Sequence, residues 1–231
     1  MIKMEPQRMK KTLSGNLLMK IYSRLYERFG PQHWWPGETS FEVMVGAILT
    51  QNTSWKNVEK AIYNLRERGL LNPKKLHRTH NEIIANAIYP AGYYNIKTKR
   101  LRHFLNFLAG RYGANIQKMK NIKLPELRRE LLGINGIGNE TADSILLYAM
   151  NKPSFVIDAY TKRFLSRHGL VAQDIPYAEL QKVFMYELPN SVRLFNEYHA
   201  LIVRLGKDIC KTKPICEKCP LCDILGPRRG R

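Results

Sequence analysis

Apolar residues recur at intervals of three and four along almost the whole chain. Residues three and four apart share one face of an α-helix, so each such stripe predicts a helix with one buried side. No convincing run alternates polar and apolar residues in the way that a half-buried strand does. We therefore expect an all-α protein with about ten short helices. The stripes occupy positions 17–29, 58–65, 101–108, 145–149, 180–188 and 194–205.

Local signals divide these stripes from one another. Thr39 and Glu42 form a T-x-x-E pair directly before an apolar run, which predicts a helix that begins near Ser40. Residues 31–37 read as a loop that carries two adjacent tryptophans, and Gly133 ends the helical run before it.

Composition and charge restrict the class of partner. Hydrophobic residues make up 44% of the 231 positions and charged residues 25%, which is typical of a packed globular protein. Lys and Arg number 38 against 19 Asp and Glu, for a formal net charge of +19. An excess of this size predicts a polyanionic partner, with DNA or RNA favoured over an anionic membrane surface.

Neither the membrane nor the secretory route is expected. The longest largely apolar stretch, Val43 to Leu49, is far shorter than the ~20 residues that a spanning helix needs. Met1 to Lys11 has charges but no apolar segment behind them, so no secretory signal is predicted. The four cysteines lie too close together to join distant parts of a fold, so we expect a reducing, cytoplasmic location.

The cysteines instead predict a metal centre. Cys210, Cys216, Cys219 and Cys222 have the spacing C-x5-C-x2-C-x2-C. Cysteines at intervals of three can reach adjacent corners of a cubane [4Fe–4S] cluster, and four thiolates can also form a closed zinc site. From the residues alone, both metals remain open.

A glycine-rich turn in the middle of the chain predicts contact with phosphate. One helix ends at Gly133, a tight loop holds Gly136 and Gly138, and a second helix begins near Asn139. Glycines allow close backbone approach, and the amides at a helix start can bind a phosphate. The alternative is an ordinary helix–helix turn.

A single carboxylate stands out twenty residues later. Asp158 follows three apolar residues and precedes the stripe of Tyr160, Phe164 and Leu165. Taken alone, this segment favours a helix N-cap for Asp158. A capping carboxylate can also face a substrate, so the two roles do not exclude each other.

Taken in this order, the glycine hairpin, the aspartate and the terminal cysteine loop resemble the endonuclease III superfamily of helix-hairpin-helix DNA glycosylases. The resemblance extends over roughly residues 15 to 222. It implies two helical lobes, residues 31–150 and residues 1–30 plus 151–231, with double-stranded DNA bound across the cleft between them. It also favours a [4Fe–4S] cluster over zinc in the loop 210–222. We expect a monomer that acts on damaged DNA at the nucleoid.

The resemblance also implies roles for individual residues. Asp158 would be catalytic, by stabilising the positive charge that develops on the sugar or by activating water. Gln51 would fill the gap left by an everted nucleotide, although it could equally be a surface amide at a helix end. The residues implied in DNA binding are Ile134, Gly136, Gly138, Asn139 and Gln51.

Two departures from the family pattern bear on the reaction. Bifunctional members follow the hairpin with a lysine that forms an imine with the sugar, and Glu140 stands at that position here. A carboxylate cannot form the imine, which favours a monofunctional enzyme that uses water; the nearby Lys162 and Lys207 leave lyase activity open. The final cysteine interval is x2, where well-known members have x5, so the geometry of the loop cannot be transferred in detail.

A closer resemblance is to the 3-methyladenine glycosylases of this superfamily, a branch that commonly lacks the cluster. It rests on Trp34-Trp35-Pro36, on Phe41 and on the stretch from Gly46 to Thr53. An aromatic loop there lines the base pocket, where a π face attracts a cationic alkylated purine. The implied pocket residues are Trp34, Trp35, Phe41 and Lys207. The tryptophans could instead pack the loop on the core, and Lys207 could face phosphate or solvent.

The predicted function is a base-excision-repair N-glycosylase that hydrolyses the bond to an alkylated purine of the 3-methyladenine type. One alternative is a glycosylase with lyase activity for mismatched, deaminated or oxidised bases. Another is a catalytically silent, structure-specific DNA-binding protein.

Overall fold

The computed structural model describes residues 13–226, and within this range it contains thirteen α-helices and no β-strand. The predicted all-α class is confirmed. The prediction for Met1 to Lys11 lies outside the described range. The helices are α1 (Gly15–Phe29), α2 (Ser40–Leu49), α3 (Trp55–Glu67), α4 (Pro73–Arg78), α5 (Asn81–Ile88), α6 (Tyr94–Tyr112), α7 (Ile116–Lys120), α8 (Leu124–Leu132), α9 (Asn139–Ser144), α10 (Ala159–Arg167), α11 (Tyr177–Glu187), α12 (Val192–Asp208) and α13 (Cys222–Leu225).

Helix α2 begins where its capping signal predicts, but the capping is one-sided. The side chain of Thr39 accepts a hydrogen bond from the backbone N–H of Glu42 at 3.2 Å. The carboxylate of Glu42 is directed to Arg66 of α3, whose Nη2 lies 2.7 Å from Oε1. Glu42 therefore ties two helices together instead of completing the capping box.

A π-helical segment, Ile145–Ala149, follows directly after α9. The N–H of Met150 donates to the carbonyl of Ile145, five residues earlier, at 3.0 Å. All five residues of the segment are buried, so the apolar stripe predicted at 145–149 does face a core. The widened turn could not be inferred from the apolar spacing.

The chain divides into two compact units, one made of residues 1–34 and 157–231 and the other of residues 35–156. The chain therefore passes from one unit to the other at 34/35 and at 156/157. The lobe boundaries implied by the resemblance, 30/31 and 150/151, stay predictions. No helix in the described part of the chain is both long and apolar enough to cross a bilayer.

In the discontinuous unit, α1 packs against the C-terminal helices. The fully buried Tyr198 of α12 donates its hydroxyl to the carbonyl of Leu18 at 2.8 Å. The N–H of Gly15 donates to Glu187 of α11 at 2.6 Å. Burial raises the pKa of Tyr198 well above its usual value, so the phenol keeps its proton and its hydrogen bond.

In the continuous unit, a buried lysine joins three segments. The ammonium of Lys97 in α6 donates to the carbonyls of Leu49 and Ala91, both at 2.8 Å. Burial, together with the charge of Arg100, lowers the pKa of Lys97 to about 8. These bonds hold the end of α2 beside α6, and Gln51, two residues beyond α2, contacts the hairpin described below.

Candidate active site

Asp158 caps helix α10. Its backbone is extended, and its Oδ1 accepts from the backbone N–H of Thr161 at 2.7 Å and from the Thr161 hydroxyl at 2.8 Å. Asp158 is 8% exposed, so the carboxylate lies almost wholly inside its unit. The predicted N-cap is present, and the second oxygen of the carboxylate is not used by the cap.

That second oxygen faces a histidine. His199 of α12 places Nε2 3.5 Å from Oδ2 of Asp158, with both side chains buried. Burial by itself would raise the pKa of Asp158, but the interactions with His199 and then with Thr161 outweigh burial and lower it. The carboxylate is consequently an anion at neutral pH, although little solvent reaches it.

Helices α10 and α12 approach each other closely because Gly206 has no side chain. A Cβ at Gly206 would lie 2.7 Å from Cγ and 2.8 Å from Cβ of Tyr160. Arg163 of α10 donates to the carbonyl of Gly206 at 2.9 Å and to that of Cys210 at 2.8 Å. The helix that carries Asp158 is thus held against both α12 and the start of the cysteine loop.

The four predicted metal ligands line a single pocket. Cys210, Cys216, Cys219 and Cys222 are free thiols around this pocket, and Arg167 and His168 also line it. Arg167 donates to Sγ of Cys210 at 3.3 Å. Burial, together with the neighbouring Cys222 and Cys210 thiols, raises the pKa of the Cys219 thiol to about 12. In residues 13–226, no three His, Cys, Asp or Glu side chains are grouped closely enough to hold a single metal ion.

The predicted hairpin lies between α8 and α9. Gly136 has a φ of +90°, and a Cβ there would lie 3.0 Å from Cδ of Arg100 and closer still to its Cγ. Gly138 is the extended N-cap residue of α9, and a Cβ on it would meet open space. Gly136 is thus required by the packing of Arg100, whereas Gly138 leaves the start of α9 uncovered.

Side chains bind the carbonyls at the tip of this loop. His103 lies with Nδ1 3.1 Å from the carbonyl of Asn135, and Gln51 donates to the carbonyl of Gly136 at 3.0 Å. A trans peptide points its N–H away from its C=O, so the N–H of Gly136 points away from His103. The side chain of Ile134 is buried, so this residue can contribute only its backbone to any contact with DNA.

A buried ion pair joins the two helices of the hairpin. Arg128 of α8 donates to both carboxylate oxygens of Asp143 in α9, at 2.8 and 3.0 Å, and Asp143 is fully buried. Ser154 donates to the same carboxylate at 2.6 Å, and Arg128 also reaches Asn139 at 3.1 Å. A bidentate pair of this kind restricts the angle between the helices.

Gln51 is held in place by the hairpin. Besides the carbonyl of Gly136, its amide donates to the hydroxyl of Thr141 at 2.9 Å, and its Oε1 accepts from Arg100. Its role in filling a gap in DNA stays a prediction. In this structure, the side chain would have to give up these bonds before it could leave the loop.

The predicted base-pocket residues fall in different surroundings. Trp34 belongs to the discontinuous unit, where Nζ of Lys207 lies 5.6 Å from its ring centroid. Trp35 belongs to the continuous unit, where it packs on Trp55 and Tyr148 at centroid distances of 5.0 and 5.3 Å. Phe41 is 3% exposed and packs in the core, and its place in the base pocket stays a prediction.

Several residues of this site have no counterpart in the sequence analysis. Three of them, His199, Arg100 and His103, come from helices far from Asp158 or from the hairpin in the sequence, and only the tertiary contacts identify these. The other three lie near their partners in the sequence: Thr161 stands at the position whose N–H an N-cap binds, and Arg128 and Asp143 belong to the two helices of the hairpin.

A braced glycine hairpin and a capped, ionised aspartate on an all-α fold define a helix-hairpin-helix protein. Residues 45–189 match the model of the HhH-GPD superfamily of base excision DNA repair proteins, and the chain belongs to this superfamily. It is accordingly a DNA N-glycosylase of base excision repair, and its macromolecular substrate is DNA.

Curated relatives and solved structures agree with this assignment. A candidate DNA repair glycosylase of Methanocaldococcus jannaschii is 48% identical over 206 residues, which cover 89% of this chain and 94% of that relative. Endonuclease III of Thermotoga maritima is 28% identical over 220 residues, which cover 93% and 96% of the two chains.

Two solved structures show the likeness of fold. A 3-methyladenine DNA glycosylase of H. pylori bound to 1,N6-ethenoadenine superposes with a TM-score of 0.72 at 30% identity, over 84% of this chain and 96% of that one. An endonuclease III–DNA complex superposes with a TM-score of 0.78 at 21% identity, over 91% and 94%.

Proposed function

We propose that this glycosylase is monofunctional and hydrolyses the N-glycosidic bond of an alkylated purine of the 3-methyladenine type, with Asp158 as the catalytic carboxylate. The observation that carries the proposal is the state of Asp158, which is buried and yet anionic because His199 and Thr161 lower its pKa. An anion surrounded by little water stabilises a developing positive charge far better than an exposed one does.

The chemistry follows from the charges of the substrate. Departure of the base leaves an oxocarbenium-like sugar, and the Asp158 carboxylate would stabilise this cation and orient the attacking water. An alkylated purine is cationic before the bond breaks and leaves as a neutral base, so it needs little protonation. One carboxylate is sufficient for such a leaving group.

The hairpin would bind the DNA backbone. The N–H of Gly136 and the uncovered first turn of α9, with Gly138 and Asn139, supply donors for phosphate oxygens. Ile134 would take part through its backbone only. Such contacts fix the position of the protein on the strand without selecting a sequence, as a repair enzyme requires.

The preference for an alkylated purine rests on aromatic side chains and on one relative. Trp34 with Lys207, and Trp35 with Trp55 and Tyr148, form two aromatic groups, one in each unit. A π face attracts a cationic base. The H. pylori relative at 30% identity is named for 3-methyladenine and was solved with a modified adenine, which supports a purine substrate here.

Monofunctionality is inferred from the side chain at the start of α9. Glu140 is exposed in the first turn of α9, and a carboxylate cannot form an imine with the sugar. The ammonium of Lys162 donates to the carbonyl of Ile175 at 2.8 Å, and Lys207 lies over Trp34. Both amines are therefore already engaged.

We further propose that the four cysteines hold a [4Fe–4S] cluster. The thiols surround one pocket, as a cluster with four corners requires, whereas a zinc ion needs all four sulfurs about 2.3 Å from one point. Arg167 would then donate to a ligand sulfur. When bound, the cluster would brace the loop 210–222. We expect a monomer located with the nucleoid.

A base-release assay tests the proposed function. Purified protein is given duplexes that contain 3-methyladenine, ethenoadenine, uracil opposite guanine or an oxidised pyrimidine, and base loss is revealed by alkali. We expect release of the alkylated purine and no strand break without alkali. Release confined to deaminated or oxidised bases would contradict the purine assignment, and no release from any duplex would favour a silent DNA-binding protein.

Borohydride trapping tests monofunctionality separately. An imine intermediate becomes a covalent protein–DNA adduct on reduction, whereas hydrolysis by water leaves none. We expect no adduct. If an adduct forms, the variants Lys162→Ala and Lys207→Ala identify the amine, and the enzyme belongs with the lyase-active members.

A further inference from the structure

The two oxygens of Asp158 have different surroundings. Oδ1 receives both hydrogen bonds from Thr161, which lies on the same helix. These bonds hold Oδ1 at the start of α10 and leave Oδ2 without a partner from the cap. The surroundings of Oδ2 are therefore supplied by another element.

His199 is the side chain that meets Oδ2. It is 6% exposed, it lies in the middle of α12, and its Nε2 is 3.5 Å from Oδ2. The close approach at Gly206 and the bond from Arg163 to the Gly206 carbonyl hold α12 against α10. His199 is therefore presented to Asp158 by the packing of these two helices.

The number of acceptor positions limits what else Asp158 can bind. A carboxylate offers about four lone-pair positions. Thr161 uses two of them at Oδ1, and Nε2 of His199 faces a third at Oδ2 from 3.5 Å, which is longer than an ordinary hydrogen bond. About one position remains, also at Oδ2, and the partner of that oxygen decides where this position points.

We propose that His199 is a positioning residue for catalysis: with a proton on Nε2 it orients Oδ2 of Asp158, so that the remaining acceptor position meets the water or the cationic sugar. This inference rests on the proposed role of Asp158. It adds a requirement that the role alone does not contain, namely that a side chain of similar size without a hydrogen-bond donor at position 199 slows the reaction.

A donor that faces a buried carboxylate also keeps it charged. Burial opposes ionisation of Asp158, and His199 is the titratable group that counters it, with Thr161 of the same helix as the other contributor. Loss of the histidine should therefore raise the pKa of Asp158, whereas a residue that merely fills space would leave that pKa unchanged.

The experiment compares His199→Leu, His199→Gln and the wild-type protein. Leucine removes the donor, whereas the amide of glutamine can present an N–H near the position of Nε2. His80→Gln, an exposed histidine with no cap bond in the other unit, is the matched control. The measurements are the single-turnover rate on alkylated-purine DNA, the Kd for DNA with an abasic analogue, and the pKa of Asp158 by carboxyl NMR.

We expect His199→Leu to slow base release by about 10- to 100-fold, the effect of one hydrogen bond to a charged group. In His199→Leu, the Kd for DNA should change less than about twofold, and the acid limb of the pH–rate profile should move to higher pH. His199→Gln should recover most of the rate. The control His80→Gln should match the wild-type protein in every measurement.

Two results would overturn the inference. One is a wild-type rate and an unchanged pKa of Asp158 in His199→Leu. The other is a loss of rate in both His199→Leu and His199→Gln that only follows a lower melting temperature. The NMR measurement needs no substrate, so it separates this inference from the proposed function: a wild-type protein that releases no base refutes the proposed function, whatever the pKa of Asp158 does.

Discussion

Asp158 shows how one residue can serve stability and chemistry together. Its Oδ1 caps α10, while Oδ2 is left for His199 and for one further partner. The interpretation of Asp158 as an N-cap and its interpretation as a catalyst are therefore compatible, because they use different oxygens.

Replacement of this carboxylate by an amide should separate the two uses. Asparagine is as good an N-cap as aspartate, so Asp158→Asn should fold and bind DNA with nearly unchanged affinity. Without the anion, base release should fall by about 100-fold or more. Single-turnover kinetics beside a binding titration check this. Equal turnover by Asp158→Asn would refute the catalytic assignment.

The same residue makes an acid-sensitive contribution to stability. The folded protein lowers the pKa of Asp158 below the ordinary value of 3.8 because His199 and Thr161 outweigh burial. The contribution of Asp158 to stability is thus complete above the pKa that this residue has in the unfolded chain. It is lost as the pH falls through the lower pKa of the folded state. The melting temperature should fall less steeply between pH 7 and pH 3 for Asp158→Asn than for the wild-type protein. Parallel curves would contradict the lowered pKa.

At the scale of elements, the hairpin has two glycines with different tasks. Gly136 makes room for Arg100 and needs a positive φ, whereas Gly138 leaves open space at the start of α9. Gly136 is required by packing inside the protein, whereas Gly138 keeps space open where a ligand would approach.

Alanine substitutions distinguish these tasks. Gly136→Ala should cost about 1–3 kcal/mol of unfolding free energy, because its methyl group meets Arg100 and its backbone is strained. Gly138→Ala should melt within a few degrees of wild type and yet weaken DNA binding, because its methyl group would block a phosphate. Melting curves and DNA titrations of both variants measure this. Equal melting temperatures for the two variants would show that Arg100 moves aside easily.

At the scale of the whole molecule, the charge of +19 determines how DNA binding responds to salt. Lysines and arginines that neutralise phosphates release counterions, so affinity for undamaged DNA should fall by about 100-fold or more between 50 and 200 mM salt. Binding titrations at several salt concentrations check this. An affinity that is independent of salt would mean that the charge serves another purpose.

The cysteine pocket supplies a second test at this scale. We expect protein purified without oxygen to be brown and to contain about four irons per chain. Cys219→Ser should lose the colour and lower the melting temperature, because the ligand pocket is opened. A colourless protein with one zinc per chain would instead establish the alternative metal.

Much of the architecture was predictable because helices depend on local patterns. The apolar stripes predicted an all-α chain, the Thr39–Glu42 pair predicted the start of α2, and the glycines predicted the hairpin. Apolar spacing could not predict the π-helical turn at 145–149, nor that Glu42 would bind Arg66 in preference to its own cap. Both depend on neighbours from other helices.

The candidate site was predictable in its chemistry and not in its contacts. Cysteine spacing, a glycine hairpin and a lone aspartate are signals within short segments, so the sequence by itself determined the family and the residues that carry charge. Only the tertiary structure paired Asp158 with His199, tied Gln51 to the loop of Gly136 and placed Phe41 in the core. Those outcomes depend on which helix faces lie within hydrogen-bonding or packing distance, and that is decided when separate helices pack together.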